Sequence, residues 1–373
     1  MTNQPYDRTK PHNQLPLLPP ADSIVLDPEI LLKWGYASRA LAELNRNILR
    51  LPNPTMLINT ISLQEAKSSS AIENIFTTDD ELYKATADIH REETASPAIK
   101  EVLRYREALW TGHKIVSQSG EIDLDTIIQI YQKIKNSTQK IRPPQSLVVI
   151  KRGNSEHRPG EVIYTPPRGV GILEEKLKNL IEYLNDNQAY PTDPLLKMTI
   201  AHYQFEAIHP FTDGNGRTGR VLNLLYLVNQ RLLSHPVLYL SKYIIDHKDE
   251  YYYNLQAVTQ MGAWKKWILY MLTAVEQTAM NTNRMIDEIL EQMSTTLDYG
   301  KKQLNWYNKE VNEAIFTQPY IKPRIIGEIL SISSRTTLTK YMAQLAQLGI
   351  VSPKEDWKQV YYLNNDLIRI LEG

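Results

Sequence analysis

The sequence predicts a mainly α-helical protein that carries one β-hairpin and a separate C-terminal module. From Pro28 to about Gly112, apolar residues recur at spacings of three and four, which is the periodicity of helices with one buried face. Two short β-rich runs, Leu147–Ile150 and Glu161–Tyr164, flank the polar stretch Lys151–Gly160, and this pattern indicates a hairpin. The end of the chain shows the pattern of a helix-turn-helix followed by a small β wing.

These patterns divide the chain of 373 residues into three predicted parts. Repeated prolines before about Pro20 predict either an ordered arm or a flexible tail, and not a helix, at the start of the first part. The predicted parts are an arm and helical region at 1–112, a core at 113–300 with the hairpin at 147–164, and a winged helix-turn-helix at 301–373.

Two capping-box patterns predict where helices of the first part begin. Ser62 followed by Glu65 predicts a helix over 62–75, and Thr78 followed by Glu81 predicts the start of the next helix. The chain is therefore expected to turn between these two helices.

The composition excludes several classes of chemistry. Basic and acidic side chains balance at 42 each, so the net charge does not favour a polyanionic partner. The chain has no cysteine, which excludes disulfides, thiolate zinc sites and cysteine nucleophiles. The N-terminal residues, Met1 to Asp27, lack the basic and apolar regions of a signal peptide, and no apolar stretch is long enough to span a bilayer. We therefore expect a cytoplasmic protein.

The C-terminal module is a candidate DNA-binding unit, although its charge argues against that role. Its two predicted helices are Arg324–Leu330 and Ser334–Leu348, and its wing is predicted from Ile350-Val351 and Val360–Leu363. The second helix carries only two clear cations, and a surface that binds phosphates usually needs more. DNA binding is possible but not favoured over target docking or a structural role.

The segment from His209 to Arg220 carries the chemistry, because it places a glycine-rich turn at the start of a helix. Glycines allow close approach of a ligand, and the first amides of a helix attract anions such as phosphate. Arg217 and Arg220, three residues apart, can both reach such an anion. Asp213 offers one carboxylate for Mg²⁺, and His209, with an ordinary pKa of about 6.5, can accept a proton. This arrangement indicates nucleotide-dependent phosphoryl or nucleotidyl transfer.

This segment resembles the signature of the Fic family, His-x-Phe-x-Asp/Glu-Gly-Asn-Gly-Arg-x-x-Arg, at every specified position. The resemblance implies that His209 is the general base, that Asp213 holds Mg²⁺, and that the arginines bind the β- and γ-phosphates of ATP. Family members with lysine in place of the second glycine phosphorylate their targets, so Gly216 implies AMP transfer. The implied ATP-binding residues are Glu73, His209, Gly214, Asn215, Gly216, Arg217, Thr218, Gly219, Arg220 and Tyr251.

An upstream segment resembles the inhibitory motif of the same family, Ser/Thr-x-x-x-Glu-Gly/Asn. Ser69, Glu73 and Asn74 match its specified positions. The resemblance implies that Glu73 forms a bidentate pair with Arg220, which then cannot hold the γ-phosphate. ATP would bind in a pose that is not aligned for attack, so the chain would be autoinhibited.

Two further features match the family less specifically. The hairpin at 147–164 resembles the flap on which the family binds an extended target segment as an added strand. Tyr251 and Tyr252 resemble a tyrosine pair that lines the nucleotide pocket, and aromatic faces suit adenine stacking. We interpret His202 as a core or supporting histidine and not as a catalyst.

The leading hypothesis is a protein adenylyltransferase that uses ATP and Mg²⁺ to modify Ser, Thr or Tyr hydroxyls of target proteins and of itself. The family resemblance favours a homodimer. One alternative is a nucleotide-sensing DNA-binding regulator, although a sensor needs neither His209 nor Asp213. Another is an enzyme that removes AMP on the same scaffold, with the carboxylate of Glu73 positioning a water.

Overall fold

The computed structural model describes residues 6–51, 54–87, 89–152, 160–356 and 359–372, and it is mainly helical. A small β-hairpin and a three-stranded sheet are the β elements of these ranges. The predicted fold class is therefore confirmed. Among the helices of the described ranges, none has the length and hydropathy that a membrane crossing requires.

The N-terminal part begins with a non-helical arm, residues 6–20, as the prolines predict. Helices follow it, and the first long one starts where Asp27 accepts hydrogen bonds from the amides of Glu29 and Ile30. The helices of this part are α1 (Asp22–Val25), α2 (Pro28–Ile48), α3 (Pro54–Ile72), α4 (Asp79–Ala87), α5 (Ile89–Thr94) and α6 (Pro97–Ser119).

The predicted start of a helix at Ser62 is wrong, because α3 already begins at Pro54. Ser62 is buried within this helix, and its hydroxyl donates to the carbonyl of Asn59. Glu65 is also buried and accepts hydrogen bonds from the hydroxyl of Tyr105 and the amide of Ser241. A bond within the helix for Ser62 and bonds to distant residues for Glu65, and not a helix cap, therefore account for this pair of polar residues.

The second predicted cap is confirmed at the start of α4. The amide of Glu81 donates to the hydroxyl oxygen of Thr78 at 3.3 Å, and the Thr78 hydroxyl donates to the Glu81 carboxylate at 2.8 Å. These bonds end the turn that follows α3 and begin the next helix.

The core is built from helices that surround α9 and α10. The side chains of α9 are buried on nearly all sides, because neighbouring helices pack around it. The elements of this part are α7 (Leu124–Lys135), β1 (Ile150–Arg152), β2 (Glu161–Tyr164), α8 (Ile172–Asn185), α9 (Pro194–Ile208), α10 (Asn215–Asn229), α11 (Leu240–Asp246), α12 (Lys248–Met261) and α13 (Trp264–Gln303).

The predicted hairpin is present, with its first strand shifted along the chain. β1 and β2 are antiparallel, and Ile150 pairs with Tyr164. The first strand begins at Ile150 and not at Leu147, and the register of the pair shifts between Ile150 and Lys151. Residues 153–159 of the predicted loop lie outside the described residues.

Both predicted boundaries between the parts fall inside helices. The boundary after residue 112 lies in α6, and the boundary after residue 300 lies in α13. The long helix α13 packs along α2 and continues towards the C-terminal module. The parts are therefore joined by rigid elements and not by linkers.

The C-terminal module has two helices near the positions predicted for the helix-turn-helix, and Ser334 caps the second one by accepting from the Thr337 amide. The strand predicted at Ile350-Val351 begins at Ser352, and Ile350 and Val351 are buried. The elements are α14 (Lys309–Thr317), β3 (Tyr320–Ile321), α15 (Pro323–Leu330), α16 (Arg335–Gln347), β4 (Ser352–Asp356), β5 (Gln359–Leu363) and α17 (Asn365–Glu372), with the strands in the order β3-β5-β4.

Candidate active site

The loop between α9 and α10 holds the segment from His209 to Arg220 in a defined conformation. His209 ends α9 with a left-handed φ of 51°, and Gly214 precedes α10 with a φ of 81°. Between them, the Asn215 side chain accepts from the Phe211 amide at 2.8 Å and donates to the Phe211 carbonyl at 2.9 Å. The N-terminus of α10, with its unpaired amides, therefore lies beside His209.

Arg142 supports this loop, and the sequence analysis did not identify it. Its Nε donates to the carbonyl of His209 at 2.8 Å, and its Nη2 donates to the carbonyl of Pro167 at 2.5 Å. Nearby, the hydroxyl of Tyr164 on β2 donates to the carbonyl of Ala207 at 2.7 Å. The end of α9 is thus attached both to Arg142 and to the hairpin.

A cavity of about 310 Å³ lies between this loop, the hairpin and α12. The structure brings most of the predicted site residues to its walls. Those on the walls are Glu73, His209, Asp213, Gly214, Asn215, Gly216, Arg220 and Tyr251, with Tyr252 beside them.

Three residues predicted to bind ATP do not line this cavity in the described structure. Arg217 is buried, and its Nη1 donates to Glu101 at 2.6 Å. The Thr218 hydroxyl donates to the carbonyl of Gly214, and a Cβ added to Gly219 would lie 2.7 Å from Oε1 of Glu206. In this structure these residues pack α10 against its neighbours.

His209 is electrically neutral at pH 7 because burial lowers the pKa of its imidazole to about 4. The pKa therefore lies below the unperturbed histidine value of about 6.5. Its Nδ1 lies 3.3 Å from the carbonyl oxygen of Glu206, and only a protonated nitrogen can pair with that acceptor. The proton is assigned to Nδ1 on this ground, so Nε2 keeps a lone pair that can accept a proton.

Asp213 carries a carboxylate at the mouth of the cavity. Its Oδ2 pairs with Lys135 at 2.6 Å, and its Oδ1 accepts from the Gly214 amide at 2.6 Å. Burial opposes ionisation, but these partners outweigh it and lower the pKa of Asp213. In the described ranges no three acidic or histidine side chains cluster as metal ligands. A single carboxylate fits Mg²⁺ that takes its other oxygens from phosphate and water.

Arg220 is fully buried and is held by the end of α3. Its Nη2 donates to Oε1 of Glu73 at 2.8 Å and to the carbonyl of Ser69 at 2.9 Å, and its Nε donates to the Ser69 hydroxyl at 2.8 Å. The expected bidentate pair with Glu73 is therefore wrong. Glu73 makes one hydrogen bond to the guanidinium, and Ser69 takes the remaining donors on that side.

The neighbours of this ion pair explain the other residues of the upstream motif. Asn74 follows Glu73 with a left-handed φ of 63°, a conformation that asparagine and glycine adopt most easily. A Cβ added to Gly216 would lie 2.3 Å from Oε1 of Glu73 and 2.9 Å from Nη1 of Arg220. Only glycine at this position lets the glutamate reach the arginine without displacement.

Tyr251 occupies the inner wall of the cavity and is supported by His202. The Nε2 of His202 lies 2.9 Å from the Tyr251 hydroxyl, and the His202 ring stacks on Trp267. Burial lowers the pKa of His202 to about 3, so the ring is neutral. The interpretation of His202 as a supporting residue is confirmed by these contacts.

Glu206, one helical turn before His209, also lines the cavity and was missed from the sequence. Its Oε1 is buried and has no hydrogen-bond partner among the described residues. Burial raises the pKa of this carboxyl to about 8, so it is mostly protonated at neutral pH. A glutamate inside a helical pattern carries no sequence signal of such an environment.

Comparisons with known proteins identify the family. Two sequence models of the Fic/DOC family match the chain, the N-terminal one at residues 31–114 and the main one at residues 121–227. A third, described as the C-terminal domain of SoFic-like protein adenylyltransferases, matches residues 292–367. The chain belongs to the Fic/DOC family.

Curated relatives match part of the chain. Protein adenylyltransferase fic-1 of Caenorhabditis elegans is 27% identical over 201 residues, which cover 53% of this chain and 35% of that protein. Protein adenylyltransferase Fic of Aedes aegypti is 27% identical over 167 residues, which cover 44% of this chain and 30% of that protein. The match therefore spans about a third of the length of these relatives.

Solved structures share the fold. A Fic family protein from Desulfovibrio desulfuricans G20 superposes with a TM-score of 0.53 at 20% identity, covering 93% of this chain and 98% of that chain. A fragment of Fic-1 from C. elegans superposes with a TM-score of 0.51 at 22% identity, covering 70% of this chain and 76% of that chain. At this level of identity the likeness concerns the fold alone.

The burial of His209 predicts an unusually acidic imidazole. NMR of ¹⁵N-histidine-labelled protein, with the signal assigned by its loss in His209→Ala, measures the fraction protonated. With a pKa of about 4, only about a tenth of the rings carry a second proton at pH 5. A titration midpoint near pH 6.5 would contradict the buried, neutral base.

Proposed function

We propose that this chain transfers the AMP group of ATP to a hydroxyl of a protein. One observation supports this most strongly: His209 lines the same cavity as Gly214, Asn215 and Gly216 at the N-terminus of α10. A base beside an anion site is the arrangement that nucleotidyl transfer to a hydroxyl requires. The names of the curated relatives, which are protein adenylyltransferases, agree with it.

ATP would lie with its phosphates over the N-terminus of α10. The amides of Asn215 and Gly216 would hold the α-phosphate, joined by the Gly214 amide once it is released from Asp213. Arg220 would bind the γ-phosphate once it is released from Glu73. Arg217 would have to break its hydrogen bond to Glu101 before it could bind the β-phosphate. Asp213 would hold Mg²⁺, which when bound adds positive charge beside the phosphate oxygens. Tyr251 and Tyr252 would form the inner wall of the nucleotide pocket.

The reaction would be a substitution at the α-phosphorus. The acceptor hydroxyl gives its proton to Nε2 of His209, and its oxygen forms a bond to the α-phosphorus. The bond from that phosphorus to the bridging oxygen of the β-phosphate breaks, and pyrophosphate leaves. The low pKa of His209 keeps Nε2 unprotonated at neutral pH, although it also makes the imidazole a weaker base.

The hairpin would present the acceptor as an extended segment. Val148, Val149 and Ile150 line the cavity next to His209. Leu147 and Val149 are 80% and 41% exposed, so this edge shows apolar side chains to solvent. A target segment that pairs with it would cover them and would place a Ser, Thr or Tyr hydroxyl near the imidazole.

Glu73 would keep this activity low. Its carboxylate and the γ-phosphate compete for one buried guanidinium, and Arg220 is only 1% exposed while Glu73 is 33% exposed. The glutamate is therefore the partner that can move away. Inhibition becomes a balance between two states that ATP, a target or another copy of the chain can shift.

ATP labelled at the α-phosphate or at the γ-phosphate distinguishes AMP transfer from the alternatives. Wild type, Glu73→Gly and His209→Ala are incubated with α-labelled and γ-labelled ATP and then separated from free nucleotide. We expect protein to retain only the α label and His209→Ala to retain none, because the base is missing. Retention of the γ label would indicate phosphorylation. If no variant retains a label but the protein binds specific duplex DNA, the nucleotide-sensing DNA-binding regulator would be favoured.

Removing the inhibitory carboxylate should raise the rate of transfer. Glu73→Gly removes a charge-assisted hydrogen bond of about 1.5–3 kcal/mol, so we expect an increase of about tenfold or more in AMP incorporation. Glu73→Gln, which keeps the shape and loses the charge, should give a smaller increase. Equal rates in wild type and Glu73→Gly would contradict the inhibitory role, whereas the label assay would still test the transfer itself.

A further inference from the structure

We propose that the N-terminal arm, residues 6–20, forms one side of the target-binding groove and sets the position of the hairpin. This inference rests on the function proposed above, because it concerns how an extended protein segment reaches His209. The arm contacts the hairpin at one end and the helical core at the other. It therefore connects the element that would bind the target to the rigid part of the molecule.

Hydrogen bonds attach the arm to the chain that follows β2. The amide of His12 donates to the carbonyl of Thr165 at 3.0 Å. The hydroxyl of Thr165 donates to the carbonyl of Arg8 at 2.8 Å, and the amide of Arg168 donates to Oδ1 of Asn13 at 2.9 Å. Three bonds over a short stretch fix the register between the two segments.

Side chains of the arm extend this contact along β2. Arg8 pairs with Glu161 at 2.6 Å, although both side chains are exposed and such pairs stabilise weakly. The ring of His12 packs edge-on between Tyr6 and Tyr164, at centroid distances of 5.3 and 6.1 Å. Since Tyr164 also bonds to the end of α9, the arm, the hairpin and the catalytic loop form one connected unit.

The other end of the arm is anchored in the core. Leu15 and Leu18 are buried, and the backbone of Leu18 exchanges two hydrogen bonds with the side chain of Asn179. Lys176 donates to the carbonyl of Leu15 at 2.8 Å, and Gln204 donates to the carbonyl of Pro16 at 2.8 Å. These bonds reach both α8 and α9, so the arm is fixed to the helices that carry the site.

Tyr6 brings the arm into the cavity itself. It lines the same space as His209 and the hairpin residues. Its hydroxyl is buried and has no hydrogen-bond partner in the described part of the chain. An unpaired buried hydroxyl is unfavourable, which indicates that a bound ligand supplies the partner. Burial raises the pKa of Tyr6 to about 12, so the hydroxyl remains a donor at neutral pH.

The position of the arm also determines which edge of the hairpin is open. The arm lies along β2 and the residues after it, whereas the exposed apolar residues Leu147 and Val149 precede β1. The occupant that fits this groove is an extended polypeptide that pairs at the β1 edge. A polar group of that segment that enters the cavity could then accept from the Tyr6 hydroxyl, which lines the same space from the β2 side.

Hydrogen exchange tests the positioning of the hairpin without any need for activity. Thr165→Val keeps the side-chain volume and removes the bond to Arg8, and Thr339→Val makes the same change on the exposed face of α16. Amides of residues 160–165 should exchange about fivefold faster in Thr165→Val, because one hydrogen bond is lost, and should not change in Thr339→Val. Equal exchange in both variants would overturn the proposal.

Kinetics in the Glu73→Gly background test the binding of the target. The acceptor is a His209→Ala copy of this chain, which cannot transfer AMP itself. Tyr6→Phe should raise the KM for this acceptor about fivefold, because it removes one hydrogen bond, and should leave the KM for ATP unchanged. A change of KM for ATP alone, or for neither substrate, would overturn the role of Tyr6. If the Glu73→Gly parent transfers nothing, the proposed function fails and the exchange experiment still decides whether the arm positions the hairpin.

Discussion

The structure depends on one buried guanidinium. Arg220 lies in the second turn of α10 and is bound by Ser69 of α3 and by Glu73 in the turn that follows α3. A buried cation needs a partner, because desolvation without one costs far more than a single hydrogen bond. The need of Arg220 for a buried partner explains the residue types around it. Gly216 leaves space for the glutamate, and Asn74 allows the chain to turn immediately after it.

The loop that follows α9 is held in place by contacts from distant parts of the chain. The loop that carries His209 is held by Arg142, by the hairpin through Tyr164 and, through the hairpin, by the N-terminal arm. Each contact joins segments that are distant in sequence. His209, the N-terminus of α10 and the hairpin are therefore held together by the packing of the core. Under the proposed function, the turn at the end of α3 is the part that a nucleotide would displace.

Much of the fold and the centre of the site could be predicted from the sequence, because both depend on local patterns. Helical periodicity, the Thr78 cap and the glycine turn after His209 are contained in short segments. Ser62 and Glu65 match the capping-box pattern, but Ser62 bonds within α3 and Glu65 bonds to Tyr105 and Ser241, which are distant in sequence. Arg142 carries no local signal because its partners are distant in sequence, and Glu206 carries none because burial sets its pKa.

In the function proposed here, Glu73 and the γ-phosphate of ATP compete for Arg220. Isothermal titration of wild type and Glu73→Gly with ATP and with AMP, in the presence of Mg²⁺, measures this competition directly. We expect Glu73→Gly to bind ATP about tenfold more tightly while its affinity for AMP is unchanged, because only ATP carries the competing phosphate. Equal changes for both nucleotides, or no change for ATP, would contradict it.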